Sequence, residues 1–88
     1  ILHDKIFKKQ YKKADQKIRT AFKDRLRLFR ENQHHFLLHN HVLTGKFKGY
    51  ISINITGDWR AIYKEIILDD KRIIVLFHLF GTHSQLYK

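Results

Sequence analysis

Apolar residues in the first third of the chain recur at helical spacing. Asp4, a residue type favoured at helix N-caps, is followed by Phe7, Tyr11 and Ala14 at i, i+4 and i+7, with lysines on the opposite side. Asp15 can cap a second, longer run, whose apolar stripe consists of Ile18, Ala21, Phe22, Leu26 and Phe29. The pattern predicts a short helix and a longer one that lie antiparallel to each other.

The second half of the chain changes to the period-two pattern of β-strands. Ile51, Ile53 and Ile55 alternate with more polar residues, which predicts a half-buried strand. Residues 56–58, Thr-Gly-Asp, have turn chemistry and predict a hairpin into a second strand over residues 59–66. After a turn at residues 69–70, residues 73–80 are apolar on both alternating sets, as expected of a central strand.

These elements predict an α+β fold of order (β)ααβββ, in which two helices pack on one face of a small antiparallel sheet and a short turn or helix follows at the C-terminus. The leading (β) stands for residues 1–3, which can form the end of an edge strand. The other face of the sheet is expected to stay open and to present Tyr50, Ser52 and Asn54. Residues 31–44 lack periodicity and are interpreted as a loop across one end of the core.

The segment Gly-Thr-His-Ser-Gln-Leu-Tyr at residues 81–87 combines a glycine with chemically active side chains. Gly81 is expected to end the preceding strand abruptly, because glycine tolerates positive φ. His83 and Tyr87 lie four positions apart, so one turn of helix or a tight coil presents both on one side. The segment is a candidate site, with a solvated C-terminal tail as the alternative.

Length and composition limit the classes of protein to which the chain can belong. Eighty-eight residues make one domain, spanning residues 1–88, and 43% apolar residues are enough for a two-layer core. The absence of cysteine fits a reducing cytoplasm. No apolar run approaches the roughly 20 residues of a membrane span. We therefore expect a soluble cytoplasmic domain that does not contact a membrane.

The net charge is +10, and residues 1–30 carry eleven Lys or Arg against three Asp. Such an excess indicates a polyanionic partner, either the phosphate backbone of a nucleic acid or an acidic protein. A merely solvated basic helix is the alternative. The side chains expected to contact RNA are Lys9, Lys13, Arg27, Lys46, Lys48, Tyr50 and Asn54.

Four of the seven histidines lie in the predicted loop, at positions 34, 35, 39 and 41. His39 and His41 could be metal ligands. A zinc site, however, needs three or four ligands, and the chain offers no cysteine and no further histidine spacing typical of such a site. We therefore expect neither a metal nor a cofactor.

Three blocks of the sequence resemble the RelE/YafQ superfamily of bacterial and archaeal toxin–antitoxin ribonucleases, and its YafQ branch in particular. They are His-Val-Leu-Thr-Gly-Lys-Phe-Lys-Gly-Tyr at 41–50, Gly-Asp-Trp-Arg-Ala-Ile-Tyr-Lys at 57–64 and Gly-Thr-His-Ser-Gln-Leu-Tyr at 81–87. The three blocks together are far more specific than any one of them. The resemblance implies a RelE-like fold, a type II toxin that cleaves mRNA in the ribosomal A site, and a cognate antitoxin that silences it.

The resemblance also implies roles for individual residues. His41, Asp58 and His83 match the acid–base group of the family, and Tyr87 matches the aromatic position that ends the third block. Arg60 matches the arginine that holds the scissile phosphate in RelE-type members. The implied reaction needs no metal, because a base can activate the 2′-hydroxyl for attack on the adjacent phosphorus while an acid protonates the leaving oxygen.

The chain departs from the family pattern at three positions. Asn54 stands where relatives often carry histidine, and Leu79 and Ile51 stand where many carry arginine. Stabilisation of the phosphate is therefore expected to fall largely on Arg60, supported by the lysines of the first block. The expected consequence is reduced catalytic power.

Two alternative functions remain open at this point. A ParE-like inhibitor of gyrase would share the fold without RNA chemistry, although that branch is not expected to keep His41 together with the Gly-Thr-His-Ser segment. A double-stranded-RNA-binding module shares the order α-β-β-β-α, but it needs a basic C-terminal helix of about 12 residues. The sequence offers no candidate for such a helix.

Overall fold

Two helices pack on one face of a five-stranded sheet in the computed structural model, which describes residues 1–87. The elements are β1 (Leu2–His3), α1 (Lys5–Lys13), α2 (Gln16–Glu31), β2 (His41–Val42), β3 (Ile51–Asn54), β4 (Trp59–Ile67), β5 (Ile73–Thr82) and α3 (His83–Leu86). Single 3-10 turns lie at Phe36–Leu38 and Gly45–Phe47. The predicted α+β fold is confirmed. Among the residues described, no helix has the length and apolar character that a membrane span requires.

The strands lie in the order β1-β5-β4-β3-β2. β3, β4 and β5 pair antiparallel, as predicted. The unpredicted β2 is antiparallel to β3, whereas β1 runs parallel to β5. The sheet is therefore mixed. The direction of a two-residue strand depends on where the following helix docks, and the sequence pattern does not contain that information.

Both predicted helix starts are capped by the expected aspartates. Asp4 accepts a hydrogen bond from the Phe7 N–H at 2.9 Å, and Asp15 accepts one from the Ile18 N–H at 3.0 Å. The second carboxylate oxygen of Asp4 lies 2.5 Å from Nδ1 of His78 on β5. The same side chain therefore starts α1 and ties it to the sheet.

Aromatic rings fill the space between the helices and the sheet. Phe7 of α1 and Phe22 of α2 each contact Phe77 and Phe80 of β5, with ring centroids 5.4–5.5 Å apart. All four side chains are buried. At about 1.5–3 kcal/mol for each fully buried large side chain, this cluster is the main attachment of the helices to the sheet.

A β-bulge allows β5 to place two phenylalanines on the same face. Tyr63 pairs with Phe77 and Ile62 pairs with Leu79, so His78 is the extra residue on β5. Without the bulge, Phe77 and Phe80 would point to opposite faces, because they are three positions apart. The bulge therefore brings one residue from each alternating set, Phe77 and Phe80, into contact with the helices.

The prediction that residues 31–44 form only a loop is wrong in part. Leu38, at the end of the first 3-10 turn, is fully buried, and β2 pairs with β3 through His41 opposite Ser52 and Val42 opposite Ile51. These elements are too short to produce a period in the sequence. Their position is set by the single anchor at Leu38 and by the edge of β3.

The prediction that Gly81 ends the strand through a positive φ is also wrong. β5 continues through Gly81 to Thr82, and Gly81 is not among the glycines with positive φ. A Cβ built at Gly81 would lie 3.0 Å from Oε1 of Gln85 and 3.3 Å from Cδ2 of Leu86. A side chain at position 81 would therefore crowd α3, which folds back closely over the strand.

The face of the sheet opposite α1 and α2 is less open than predicted. Ser52 and Ile62 lie on that face, and both are fully buried. Two segments cover its centre: the one that contains the second 3-10 turn, and the C-terminal helix α3. Phe47 of the first segment contacts Tyr87, which follows α3, edge to face at 5.8 Å. The exposed part of this face is reduced to a cleft at one end.

His3 places a half-buried ionisable group at the edge of the aromatic core. Its ring lies 5.1 Å from Phe7 and 5.7 Å from Phe77, centroid to centroid. Burial lowers the pKa of the imidazole below its ordinary value of 6.5, and the nearby Lys8 ammonium lowers it further. The unfolded chain therefore binds a proton at His3 more readily than the folded chain does.

We predict that the free energy of unfolding falls as the pH is lowered from 7 towards 5. Stability linked to His3 is fully present above the unfolded pKa and is lost as the pH falls towards the lower folded value. A His3→Phe substitution should flatten this part of the curve in urea denaturation, whereas His34→Phe at an exposed position should leave it unchanged. A parent protein equally stable at pH 7 and pH 5 would contradict this account.

Candidate active site

Imidazoles from two parts of the chain meet in a cleft of about 360 Å³ on the face opposite α1 and α2. β2, β3, β4 and the C-terminal segment all contribute to its wall. The residues that line it are His39, His41, Leu43, Asn54, Arg60, His83 and Tyr87. None of these side chains is a carboxylate, so the cleft is suited to an anion.

The positions of His39 and His41 follow from the contacts that hold residues 38 and 40. Leu38 is buried in the core, and Nδ2 of Asn40 donates a hydrogen bond to the hydroxyl of Tyr63 at 2.6 Å. Gln33 donates to the same hydroxyl at 2.9 Å. Residues 38 and 40 are therefore fixed on the core side, which directs His39 and His41 to the cleft.

The protonation pattern of neutral His41 follows from its backbone contact. Nδ1 of His41 lies 2.8 Å from the carbonyl oxygen of His39. A carbonyl only accepts, so Nδ1 carries the hydrogen and donates it. This leaves Nε2 with the free lone pair of the neutral imidazole, which is the form that a general base requires.

α3 presents His83 and Tyr87 on one side, as the spacing predicted, with ring centroids 4.7 Å apart. Thr82 and Gln85 form a capping box that starts the helix, and the buried Leu86 anchors it. The backbone N–H of His83 donates to the carbonyl oxygen of Asp58 at 2.9 Å. The hairpin turn between β3 and β4 therefore fixes the position of His83.

Arg60 enters the cleft from β4, although part of its guanidinium is already engaged. Nη1 donates to the carbonyl oxygens of Thr56 and Trp59, each at 3.1 Å. These contacts hold the side chain against the hairpin turn. The remaining N–H groups of the guanidinium have no hydrogen-bond partner among residues 1–87 and can bind an anion in the cleft.

Two polar atoms at the cleft are buried and have no hydrogen-bond partner within the described part of the chain. They are Oδ1 of Asn54 and the hydroxyl of Tyr87. A buried polar atom without a partner costs free energy.

The other predicted site residues lie outside the cleft. Asp58 is exposed in the hairpin turn and reaches the site only through its carbonyl oxygen. Lys46 lies over the Phe47 ring, with Nζ 5.2 Å from the centroid, and Lys48 is exposed. Tyr50 stacks on His78 at 5.2 Å, on the same face of the sheet but away from the cleft.

The three remaining candidates lie on the helices. Lys9 and Lys13 are exposed on α1. Arg27 is exposed on α2 and forms an ion pair with Asp24 one helical turn earlier. These cations belong to the basic surface of the helices, separate from the cleft.

Sequence reasoning considered His39 only as a metal ligand and did not place it in this site. Among residues 1–87, no three side chains of the ligand types His, Cys, Asp and Glu are grouped to hold a metal ion. The sequence signal that could have placed His39 in the site is the alternation of Leu38 and Asn40, which face the core, with the two histidines at 39 and 41. It is too short to be recognised without the core contacts that orient it.

We predict that Tyr63→Phe lowers the free energy of unfolding by about 1–3 kcal/mol, because two amide groups lose their buried acceptor. The ring signals of His39 and His41 in NMR spectra should broaden as their segment loosens. Tyr11→Phe is the matched control, since it removes a hydroxyl bonded to Arg19 on the far helices. Unchanged histidine signals in Tyr63→Phe would show that the network does not position them.

Comparison with known proteins connects this arrangement to one family. The sequence model of the family described as "Bacterial toxin of type II toxin-antitoxin system, YafQ" matches residues 1–88. The structure is similar to YafQ from E. coli strain BL21(DE3), with 26% identity, a TM-score of 0.77, and coverage of 99% of this chain and 96% of that one.

Two further solved structures are similar over nearly their whole length. YafQ in the E. coli DinJ-YafQ toxin-antitoxin complex is 27% identical, with a TM-score of 0.73 and coverage of 99% and 94%. A YoeB/ParE toxin from Agrobacterium tumefaciens, at 18% identity, a TM-score of 0.73 and coverage of 93% and 95%, shares the fold. Comparison with curated protein sequences gives no significant match. With the family model matching its whole length, the chain belongs to the YafQ family of toxins of bacterial type II toxin–antitoxin systems.

Proposed function

We propose that this toxin is a ribosome-dependent endoribonuclease that cleaves mRNA in the A site and so inhibits translation. The observation that carries the proposal is that His41, His83 and Arg60 line one cleft without a carboxylate. RNA cleavage by its own 2′-hydroxyl needs a base, an acid and a cation near the phosphate. These three side chains supply that set.

His41 is the general base in this proposal. Its Nδ1–H donates to the carbonyl oxygen of His39, so Nε2 accepts the proton of the 2′-hydroxyl. The 2′-oxygen then bonds to the adjacent phosphorus. The imidazolium that results keeps its hydrogen bond to the carbonyl, which becomes stronger once the ring is charged.

His83 is the general acid. Its proton passes to the 5′-oxygen as the bond between that oxygen and phosphorus breaks, which leaves a 2′,3′-cyclic phosphate and a free 5′-hydroxyl. Asp58 assists by accepting the backbone N–H of His83, and this contact sets where the imidazole stands. Arg60 binds the scissile phosphate with the part of its guanidinium that the hairpin turn leaves free.

Tyr87 positions a nucleotide by stacking. Its ring contacts the His83 ring, at 4.7 Å in a tilted arrangement, and the Phe47 ring edge to face at 5.8 Å. Asn54 lines the same cleft and is proposed to contact the RNA through its side-chain amide. Both side chains therefore hold the substrate at the imidazoles, which is how a site gains rate from proximity.

The basic surface of α1 and α2 and the lysines at 46 and 48 are proposed to bind ribosomal RNA through its phosphates. Lys9, Lys13 and Lys48 are exposed, and the charge of residues 1–30 is strongly positive. Contacts of this kind release counterions, so affinity falls steeply with salt. They supply orientation on the ribosome, whereas the cleft supplies the chemistry.

The two alternatives receive less support from the geometry. α3 has only four residues, far fewer than the roughly 12-residue helix with which a double-stranded-RNA-binding module spans a groove. An inhibitor of gyrase has no use for several imidazoles converging on one small cleft. Both observations favour the endoribonuclease.

We predict that His83→Ala abolishes cleavage of ribosome-bound mRNA, with a fall of about 10²–10⁴ in rate, while the fold is retained. Cleavage by the parent should persist in EDTA, leave 2′,3′-cyclic phosphate ends and depend on pH in the histidine range. His34→Ala, at an exposed histidine outside the cleft, is the control. Cleavage by His83→Ala at the parental rate would overturn the assignment.

The proposed partner is a cognate antitoxin with an acidic binding segment. The related E. coli YafQ has been solved in a complex with DinJ. In this chain the positive charge of residues 1–30 adjoins exposed apolar side chains such as Leu2 and Ile6. This combination suits an acidic segment that also carries apolar residues.

We predict that expression of the toxin alone arrests bacterial growth and that co-expression of an acidic protein from the adjacent reading frame restores it. The two proteins should co-purify, and replacing Lys8 and Lys12 by Glu should weaken the complex while preserving the fold. His83→Ala should bind the antitoxin as the parent does, which separates binding from catalysis. Normal growth with the toxin alone would contradict the prediction.

A further inference from the structure

His39 is the titratable side chain at the cleft to which the proposed cleavage mechanism gives no chemical role. Its ring lines the cleft and is exposed to it. The ring centroid lies 5.0 Å from that of His41. A side chain that lines the same cleft as the proposed base can contact the same substrate.

The backbone of His39 is held in an unusual conformation. Its φ of 44° places it in the left-handed region, at the end of the first 3-10 turn. Such a conformation is strained for a residue other than glycine. It persists because Leu38 and Asn40 are fixed on the core side, and its effect is to bring the His39 carbonyl to His41 and the His39 ring to the cleft.

His39 and Asn54 approach the cleft from neighbouring segments of the chain. β2 pairs with β3 as His41 opposite Ser52 and Val42 opposite Ile51. Extending this register by two positions sets residue 39 against residue 54, and both side chains line the cleft. An imidazole placed at either position would therefore reach the same region.

The cleft needs a second cation. Nη1 of Arg60 is occupied by two carbonyl oxygens of the hairpin turn, so only part of its guanidinium is available to a phosphate. Charge develops on the non-bridging oxygens as the phosphorane forms, and each well-placed donor stabilises it. Lys46 and Lys48 do not line the cleft and cannot fill this role without moving.

The charges that face His39 determine its form. The ionisable side chains that share the cleft with it are His41, Arg60, His83 and Tyr87, and no carboxylate is among the lining residues. Two imidazolium rings 5.0 Å apart repel each other, so the active form carries the proton on one of the pair. Because His41 must be neutral to act as base, His39 is the ring that carries the charge.

We propose that His39 is a further catalytic residue, whose imidazolium donates a hydrogen bond to a non-bridging oxygen of the scissile phosphate and stabilises the charge that develops there. The inference rests on the proposed function. It adds no covalent step: the 2′-hydroxyl proton still passes to His41, and the leaving 5′-oxygen still takes its proton from His83. His39 keeps its proton throughout, and once His41 has also become charged, the negative charge of the phosphorane offsets the repulsion between the two rings.

The test is single-turnover cleavage of ribosome-bound mRNA by His39→Asn. Asparagine tolerates the left-handed conformation, so the substitution removes the imidazole while leaving the carbonyl that holds His41. We expect the rate to fall roughly 10²-fold, the order seen when one transition-state donor is lost, with little change in binding to the ribosome. His34→Asn, at an exposed histidine outside the cleft, should cleave at the parental rate.

Two rescue experiments separate a chemical role from a structural one. Adding Asn54→His to His39→Asn should restore much of the rate, because the imidazole returns to the same region from β3. His39→Gly also accepts the left-handed conformation, and added imidazole should raise its rate in a saturable manner. A merely structural role of His39 would show neither effect.

The outcomes distinguish this inference from the function on which it rests. In one outcome the parent cleaves, His83→Ala does not, and His39→Asn cleaves at the parental rate. This result would overturn the role of His39 and leave the endoribonuclease function intact. A His39→Asn variant that is slow, but is rescued by neither Asn54→His nor imidazole in the glycine variant, would also overturn it. A parent that does not cleave ribosome-bound mRNA would refute the proposed function and this inference together.

Discussion

The packing of four phenylalanines between the helices and β5 is the interaction on which the rest of the structure depends. Phe7 and Phe22 contact Phe77 and Phe80 at centroid distances of 5.4–5.5 Å. A domain of this size has little other apolar surface with which to hold two layers together. Since β5 is also the partner of β1, β4 and α3, fixing it against the helices fixes the centre of the sheet.

The β-bulge at His78 connects that core to the start of the chain. It lets Phe77 and Phe80 share a face, and it brings the His78 imidazole to the carboxylate that caps α1. The other end of β5 leads through Gly81 into α3, whose close return over the strand leaves little room for a side chain at that position. A single strand therefore sets the position of α1 on one face and of His83 on the other.

The cleft is assembled from segments that the core holds at separate points. Tyr63 lies on the core side of β4 and accepts hydrogen bonds from Gln33 and Asn40, which fixes the chain on both sides of His39. Burial raises the pKa of Tyr63, so its hydroxyl stays neutral and remains a partner for these amides. The hairpin turn holds Arg60 by its guanidinium and His83 by its backbone N–H. Preorganisation of this kind is what allows a small domain to present a site without closing around its ligand.

The sequence by itself determined the two helices with their aspartate caps, the three main strands, the hairpin turn and the pairing of His83 with Tyr87 on one side of a turn. These features follow from local periodicity and local hydrogen bonding, which the order of residues records directly. Family resemblance in three blocks added His41 and Arg60 to the candidate site. Both indeed line the cleft, while Asp58 and Tyr50 do not.

Only the tertiary structure decided the direction of β1, the existence of β2, the bulge in β5 and the place of His39. Each depends on contacts between residues far apart in the chain, such as Asn40 with Tyr63 or Asp4 with His78. A two-residue strand has too few positions to show a period, and a bulge breaks the period that would reveal it. The limited room for a side chain at position 81 likewise comes from the close approach of α3, which no local pattern contains.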